Sequence, residues 1–221
     1  MEPPEARIHA YERRVGDTPD TAGHAMSVEE PVVVADRPTH GEPRPFQFPR
    51  FERLELSNGL GLISVHLPGR ALVSATLVLP SGAVDEPEEQ AGITSLMARA
   101  LTEGTKSHDA IGLTEAAERL GASLHAEAGW DGMSISVEVP AERLGAALGL
   151  VAEVATEPTF PAEDVDRLRD ERLNDLLQAK ADPRRRADDA FVSTIYAPGT
   201  AYGRPSGGTE ETVPGLDAAA L

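Results

Sequence analysis

Gly92-Ile93-Thr94-Ser95-Leu96-Met97-Ala98-Arg99-Ala100-Leu101-Thr102-Glu103-Gly104-Thr105 is the stretch on which the fold turns. Ile93, Leu96, Met97, Ala100 and Leu101 recur at i, i+3, i+4, i+7 and i+8, which makes one apolar helical face. Gly104 stands where a helix C′ glycine belongs, so the spacing predicts a single amphipathic helix closed by that glycine. At roughly 100° per residue, Ser95 and Arg99 project together on the side away from the apolar face. Two helical residues four apart can jointly hold a metal ion. Here they are a serine and an arginine.

Around this stretch the composition is that of a globular chain. Of 221 residues, 40% are hydrophobic and only 4% aromatic, so the core is expected from Leu, Val, Ile and Ala. The absence of cysteine excludes a disulfide framework, a thiolate metal site and a thiol nucleophile. A formal charge of −17 disfavours nucleic acid and anionic membrane as partners and fits a well-solvated surface. No basic region followed by an apolar run opens the chain, and no apolar run approaches the roughly 18 residues of a membrane span. The cytoplasm is the expected location.

Residues 1–48 are rich in Pro, Glu, Asp, Thr and Gly, with Val32-Val33-Val34 as their only apolar cluster. Such a segment buries too little surface to offset its ordering entropy, and a disordered acidic, Pro-rich extension is expected there. Its histidines, His9, His24 and His40, are too far apart to suggest a metal site. Order is expected from about Phe51. Leu54–Leu56 and Leu62–His66 alternate around Asn58-Gly59, a hairpin signal. A third strand, Leu72–Leu79, turns Val73, Ala75, Leu77 and Leu79 one way, and Asp85–Glu89 forms an acidic loop before the central helix. Ile111–Leu120 reads as a helix with Ile111, Ala116, Ala117 and Leu120 inward, closed by Gly121. Ser123–Ala128 and Met133–Val139 alternate around Gly129–Gly132, giving a second hairpin with Ile135, Val137 and Val139 on one face and Trp130 at the turn. Ala141–Thr156 is a helix with Leu144, Leu148, Val151, Val154 and Ala155 inward. A long helix follows from Ala162 to Ala181, with Val165, Leu168, Leu173, Leu176 and Leu177 inward. Asp182-Pro183 ends it, Arg184–Arg186 forms a basic cluster, and Ala187–Tyr196 is a further helix. Thr209-Glu210-Glu211 carries the features of a helix N-terminus, and the chain stops before that helix has run its length. Strands and helices segregate, so an α+β fold is expected: a largely antiparallel sheet covered on one face by helices.

The order of short motifs resembles the N-terminal domain of the pitrilysin/insulinase-like zinc peptidases, family M16, which includes the mitochondrial processing peptidases. The resemblance rests on Leu56–Leu60, Ser81–Pro87, Ala91–Ile93, Leu101–Thr105, Leu120–Ala122, Pro158–Pro161, Glu171-Arg172, Asp182-Pro183, Tyr202–Pro205 and Gly208–Glu211. Each is weak alone, but ten in order and spacing over residues 49–221 are specific. Active members of the family carry an inverted motif, His-x-x-Glu-His, five residues before the Gly-Thr. Its histidines bind zinc and its glutamate serves as general base. The matching positions here are Ser95, Ala98 and Arg99. Neutral serine is a poor zinc ligand, alanine supplies no base, and arginine keeps a positive charge that repels the metal. The family's third ligand has its nearest equivalents in Asp175 and Glu171, both read as exposed helix acids. Thr200-Ala201 replaces the family's usual His-Pro.

The resemblance therefore implies the scaffold without catalytic or metal-binding residues, and no cofactor, although zinc is expected in the family. The function expected is a non-catalytic peptidase-like protein, the scaffold or substrate-binding subunit of a heteromeric zinc peptidase, or a fragment of one. Its expected partners are a homologous catalytic M16 subunit or the second half of the same protein, together with a peptide substrate. The family's domain ends with a further strand after the last helix, and the domain over 49–221 is expected to be truncated there. Two other functions stay open. One is an active metalloendopeptidase with atypical ligands, although no histidine pair sits at ligand spacing on any helix. The other is a peptide- or protein-binding module without a proteolytic role.

Overall fold

The structure, a computed structural model, describes residues 40–43, 45–197 and 199–221. The chain divides into two units, Met1–Phe48 and Pro49–Leu221. Most of the extension expected over residues 1–48 lies outside the described residues, as do His9 and His24, and its described part has no regular secondary structure.

The second unit is α+β. Its first two strands, β1 (Phe51–Glu55) and β2 (Gly61–Val65), form an antiparallel hairpin in the register Phe51↔Val65 to Glu55↔Gly61. Gly59 takes the left-handed conformation the turn requires (φ 85°), and the Asn58 side chain accepts from the Leu60 N–H at 3.1 Å. Strands β3 (Leu72–Leu79), β4 (Ser123–Ala128) and β5 (Met133–Pro140) form a second antiparallel sheet in the order β3-β5-β4. The single sheet expected from sequence is thus two sheets. Between β2 and β3 the chain turns at Leu67–Arg70 through a left-handed Gly69, and β2 and β3 do not pair.

Helices α1 (Ile93–Ala100), α2 (Ala110–Arg119) and α3 (Leu144–Thr156) cover one face of the three-stranded sheet, and α4 (Ala162–Ala181) and α5 (Pro183–Ile195) follow. Alternation in β5 turns Ile135, Val137 and Val139 inward, all at most 1% exposed, against Ala98, Leu101, Leu113, Ala117, Ala147, Val151 and Val154. A second cluster joins Leu96 and Ala100 of α1 to Val165 and Leu168 of α4 and to Leu216. Helix α1 is therefore buried on two sides, between the sheet and α4. Each fully buried aliphatic side chain here is worth about 1.5–3 kcal/mol.

Several sequence expectations shift. Helix α1 ends at Ala100, and Gly104 is not its left-handed cap. Gly104 bridges to Asp109 instead, and a Cβ there would lie 2.9 Å from Thr159 Oγ1, so close packing demands the glycine. Asp109 caps α2 through the Gly112 N–H, which sets a phase in which Leu113 is buried and Ile111 is 71% exposed. In α3, Ala147 and Leu150 take the inward positions and Leu148 faces out; in α4, Leu177 is exposed. Helix α5 starts at Pro183, capped by Asp182, so Arg184–Arg186 lie inside its first turn. The helix expected after Thr209 is a short 3-10 turn, Val213–Gly215. Gly121 does close α2, in a Schellman arrangement with Ala122 N–H to Ala117 O and Gly121 N–H to Glu118 O.

The start of α1 is fixed from outside the helix. Glu86, 8% exposed, accepts from the N–H groups of Gly92 and Thr94, both at 2.8 Å. Arg204 donates to the Glu86 and Ala83 carbonyls at 2.7 and 3.3 Å. Gly92 (φ 98°) and Gly208 (φ 76°) touch: a Cβ on Gly92 would sit 2.8 Å from the Gly208 Cα.

Two sets of substitutions test this arrangement by urea denaturation. Glu86→Ala is expected to cost about 2–3 kcal/mol, since two charge-assisted bonds are lost and two buried N–H groups are orphaned. Gly92→Ala is expected to cost at least ~2 kcal/mol from strain and backbone overlap. Gly145→Ala and Gly149→Ala, inside α3 with open space around them, are expected to stabilise by about 0.5–1 kcal/mol.

Candidate functional site

Two of the three motif-position side chains lie on one surface where α1 meets α4. Ser95 and Arg99 are both half-buried and line a narrow cleft, with about 10 Å³ of enclosed space, between α1, α4 and the segment from Gly207 to Leu216. Ala98 does not face this cleft. It is 1% exposed and packs into the sheet-side core. The three positions that stand for a metal motif thus divide, two to the cleft and one to the core.

Arg99 Nη2 donates to Glu171 Oε2 of α4 at 2.7 Å. The residue at the second-histidine position and one of the two acids considered as a third ligand are therefore joined directly, without a metal. Glu171 is not an unpartnered helix acid: its other oxygen accepts from Arg167 Nη1 at 2.9 Å, and Arg167 also reaches Glu103 at 2.7 Å and Asp164 at 3.4 Å. Arg167 first, and Arg99 after it, hold the Glu171 carboxyl below its ordinary range. The same acids raise the already high Arg167 value. Asp175, the other candidate ligand, is exposed, and its charge acts on Arg172.

Arg172 is the residue whose role the sequence hid. It lines the cleft, and its Nε donates to the Gly207 carbonyl at 2.8 Å. A Cβ at position 207 would lie 2.4 Å from its Nη2, so the loop approaches this guanidinium closely only because residue 207 is glycine. Burial pushes the Arg172 value down, Asp175 opposes that, and the like charge of Arg99 adds to it. The Glu171-Arg172 dipeptide was legible as a motif, but not the division of labour: Glu171 to Arg99, Arg172 to the glycine loop.

The late loop is anchored by aromatic contacts. Trp130 packs on Tyr202 at 5.5 Å between ring centroids, and Tyr196 stacks on Tyr202 at 5.8 Å. The Tyr202 hydroxyl donates to Asp131, which raises its pKa. Trp130 is therefore a packed aromatic. Beyond the cleft, Glu153 of α3 accepts from the Thr105 hydroxyl and contacts His108 Nδ1 at 2.9 Å. Thr105 first, then His108, hold its carboxyl below the ordinary range against the effect of burial. This cluster ties the loop after α1 to α3 and leaves no free nucleophile.

Zinc chemistry does not fit these residues. Ser95 and Arg99 offer one weak neutral oxygen and one permanent cation, Ala98 is in the core, and Glu171 already holds two guanidiniums. Among the described residues, no group of three or more His, Cys, Asp or Glu side chains could hold a metal ion, and no helix is long and apolar enough to cross a membrane.

Comparison with known proteins identifies the scaffold. Residues 62–209 match the family model described as Insulinase (Peptidase family M16). An uncharacterized zinc protease of Streptomyces coelicolor is 26% identical over 166 residues, which is 75% of this chain and 36% of that protein. The chain thus spans about a third of that relative's length. The non-peptidase homolog YmxG of Helicobacter pylori is 27% identical over 95 residues, 43% of this chain and 22% of that protein. The crystal structure of a peptidase M16 inactive domain from Pseudomonas fluorescens superposes with a TM-score of 0.72 at 22% identity, covering 77% of this chain and 42% of that one. With the family model covering more than half of the sequence and the α+β scaffold matching an M16 domain, the chain belongs to the insulinase-like peptidase family M16.

Proposed function

We propose that this chain is a non-catalytic M16 protein, the scaffold or substrate-binding part of a heteromeric zinc peptidase. The observation that carries the reading is the Arg99–Glu171 ion pair, which puts a salt-bridged guanidinium at the position that answers to the motif's second histidine. The cation at that position and its carboxylate partner on α4 make a structural contact that leaves no room for a metal ion's charge. Similarity to a protein called a non-peptidase homolog and to a domain called inactive supports the same reading. On this reading, residues 49–221 are the N-terminal M16 domain, working in the cytoplasm.

A surface suited to assembly accompanies the emptied site. Every residue of β1 and β2 is exposed, including Phe51, Leu54, Leu62, Ile63 and Val65. Leu177, Phe191 and Ile195 on α4 and α5 are also exposed. Apolar area of this extent marks contact with further polypeptide. The partner proposed is a homologous M16 subunit carrying an intact His-x-x-Glu-His, or the remaining part of the same protein, enclosing a peptide between them.

Two measurements test the proposal. The purified chain is expected to hold no stoichiometric zinc and to cleave no peptide, and on affinity purification it is expected to bring down a zinc-bearing M16 homologue whose fraction does cleave. Stoichiometric zinc, chelator-sensitive cleavage by the chain alone, or a stable monomer that ignores such a homologue would each overturn it. The triple variant Ser95→His, Ala98→Glu, Arg99→His is expected to bind zinc weakly at most. It should also lose at least ~2 kcal/mol of stability in a urea titration, because the glutamate that replaces Ala98 places a carboxylate in the core.

A further inference from the structure

We infer that the cleft beside Ser95 is a binding site for a single carboxylate of a peptide, recognised by Arg99 and Arg172. This rests on the non-catalytic reading of the same positions and gives that reading a ligand. The chain carries 37 acids against 20 bases, yet no acid lines this cleft, and two of its lining side chains are arginines.

Arg172 is the sharper of the two. It is half-buried, and among the described residues it forms no ion pair and only its Nε has an acceptor, the Gly207 carbonyl. Its terminal nitrogens are left free on a partly desolvated guanidinium, beside a second cation. This cation is disfavoured by burial and by the Arg99 charge, and Asp175 offsets part of that. It becomes favourable when an anion arrives. Arg99 already shares Glu171 with Arg167, so of the two lining arginines it is Arg172 that has no carboxylate within ion-pair distance among the described residues. Asp175 and Asp189 oppose an incoming anion and Arg185 favours it, all from outside the lining.

The shape points the same way. The enclosed part has room for about one water molecule, so the carboxylate docks at the mouth of the cleft, where the Arg99 side chain is exposed, and does not enter it. Ser95, whose hydroxyl has no partner among the described residues, can donate to one carboxylate oxygen while an arginine fork holds the other. Leu96, Val213 and Leu216 supply apolar wall and lower the local dielectric, which strengthens the contact. The carboxylate can come from a peptide C-terminus or from an Asp or Glu side chain.

Calorimetric titration of the full chain at low salt separates these cases. Three probes are used: acetyl-Ala-Ala-Ala with a free C-terminal acid, the same peptide as its amide, and acetyl-Ala-Asp-Ala-amide. At least one acid-bearing peptide is expected to bind about tenfold or more tightly than the amide, and the tighter of the two identifies the source. Binding is expected to weaken as salt rises. Arg99→Gln, at a side chain 38% exposed and so tolerant of change, is expected to weaken it at least about fivefold. Ser95→Glu, which supplies a carboxylate from within, is expected to abolish it. Equal affinities for all three peptides, no saturable binding by any, or an unchanged affinity in folded Arg99→Gln would overturn the inference. Assembly with a zinc-bearing homologue is a separate measurement, so a chain that assembles but ignores carboxylates fails here and not there.

Discussion

The Glu86 carboxylate at the N-terminus of α1 is the contact on which the rest of the second unit depends. A helix of eight residues leaves four N–H groups without intrahelical acceptors, a large share of its backbone. Here the end is buried, so water cannot satisfy them. Glu86 takes the N–H groups of Gly92 and Thr94, and its negative charge lies at the positive end of the helix dipole. Its own carbonyl is held by Arg204, 118 residues further on. One residue, through its carboxylate and its carbonyl, thus ties together the helix, the loop before it and the late loop that carries Arg204.

The helix so fixed is wedged between two cores. Its sequence reads as amphipathic, but Leu96 and Ala100 serve α4 while Ala98 and Leu101 serve the sheet. Small residues make this possible: Ala98 and Ala100, at most 1% exposed, let β-sheet and α4 approach α1 from both sides. What remains half-open is the strip carrying Ser95 and Arg99. The cleft is therefore a consequence of how α1 is buried and does not need a metal to hold it open. That separates scaffold from chemistry in physical terms, since neither core runs through the two cleft-facing motif positions.

Elements with strong local signals were legible in the sequence, and contacts between distant residues were not. Strict alternation fixed β3 at Leu72–Leu79, and prolines on either side fixed α4 at Ala162–Ala181. Periodicity picked an inward face for α2 but put Ile111 on it, because the phase is decided by the Asp109 cap and by which neighbour covers the helix. Leu148 and Leu177 were misplaced for the same reason. Glu86 looked like one acid in an acidic loop, since its targets lie six and eight residues away and no short motif links them. Ser95 and Arg99 were legible as neighbours on one face of the helix. The Glu171 that answers Arg99 lies 72 residues along the chain, and pairing at that range is visible only in the fold.

A metal site and an arginine–carboxylate pair solve the same electrostatic problem with opposite demands on the protein. Zinc carries two positive charges and needs several neutral or anionic donors converging on one point. Arginine carries one charge, spread over a planar fork, and is content with one carboxylate at its edge. With arginine at position 99, Glu171 does not have to converge on a single point and leans toward Arg167 as well. The network that results spans Glu103, Asp164, Arg167, Glu171 and Arg99 across the junction of α1 and α4. Exposed ion pairs of this kind contribute little singly, but a connected set fixes the register of two helices. Placing histidines at positions 95 and 99 would thus have to break a network as well as create a site.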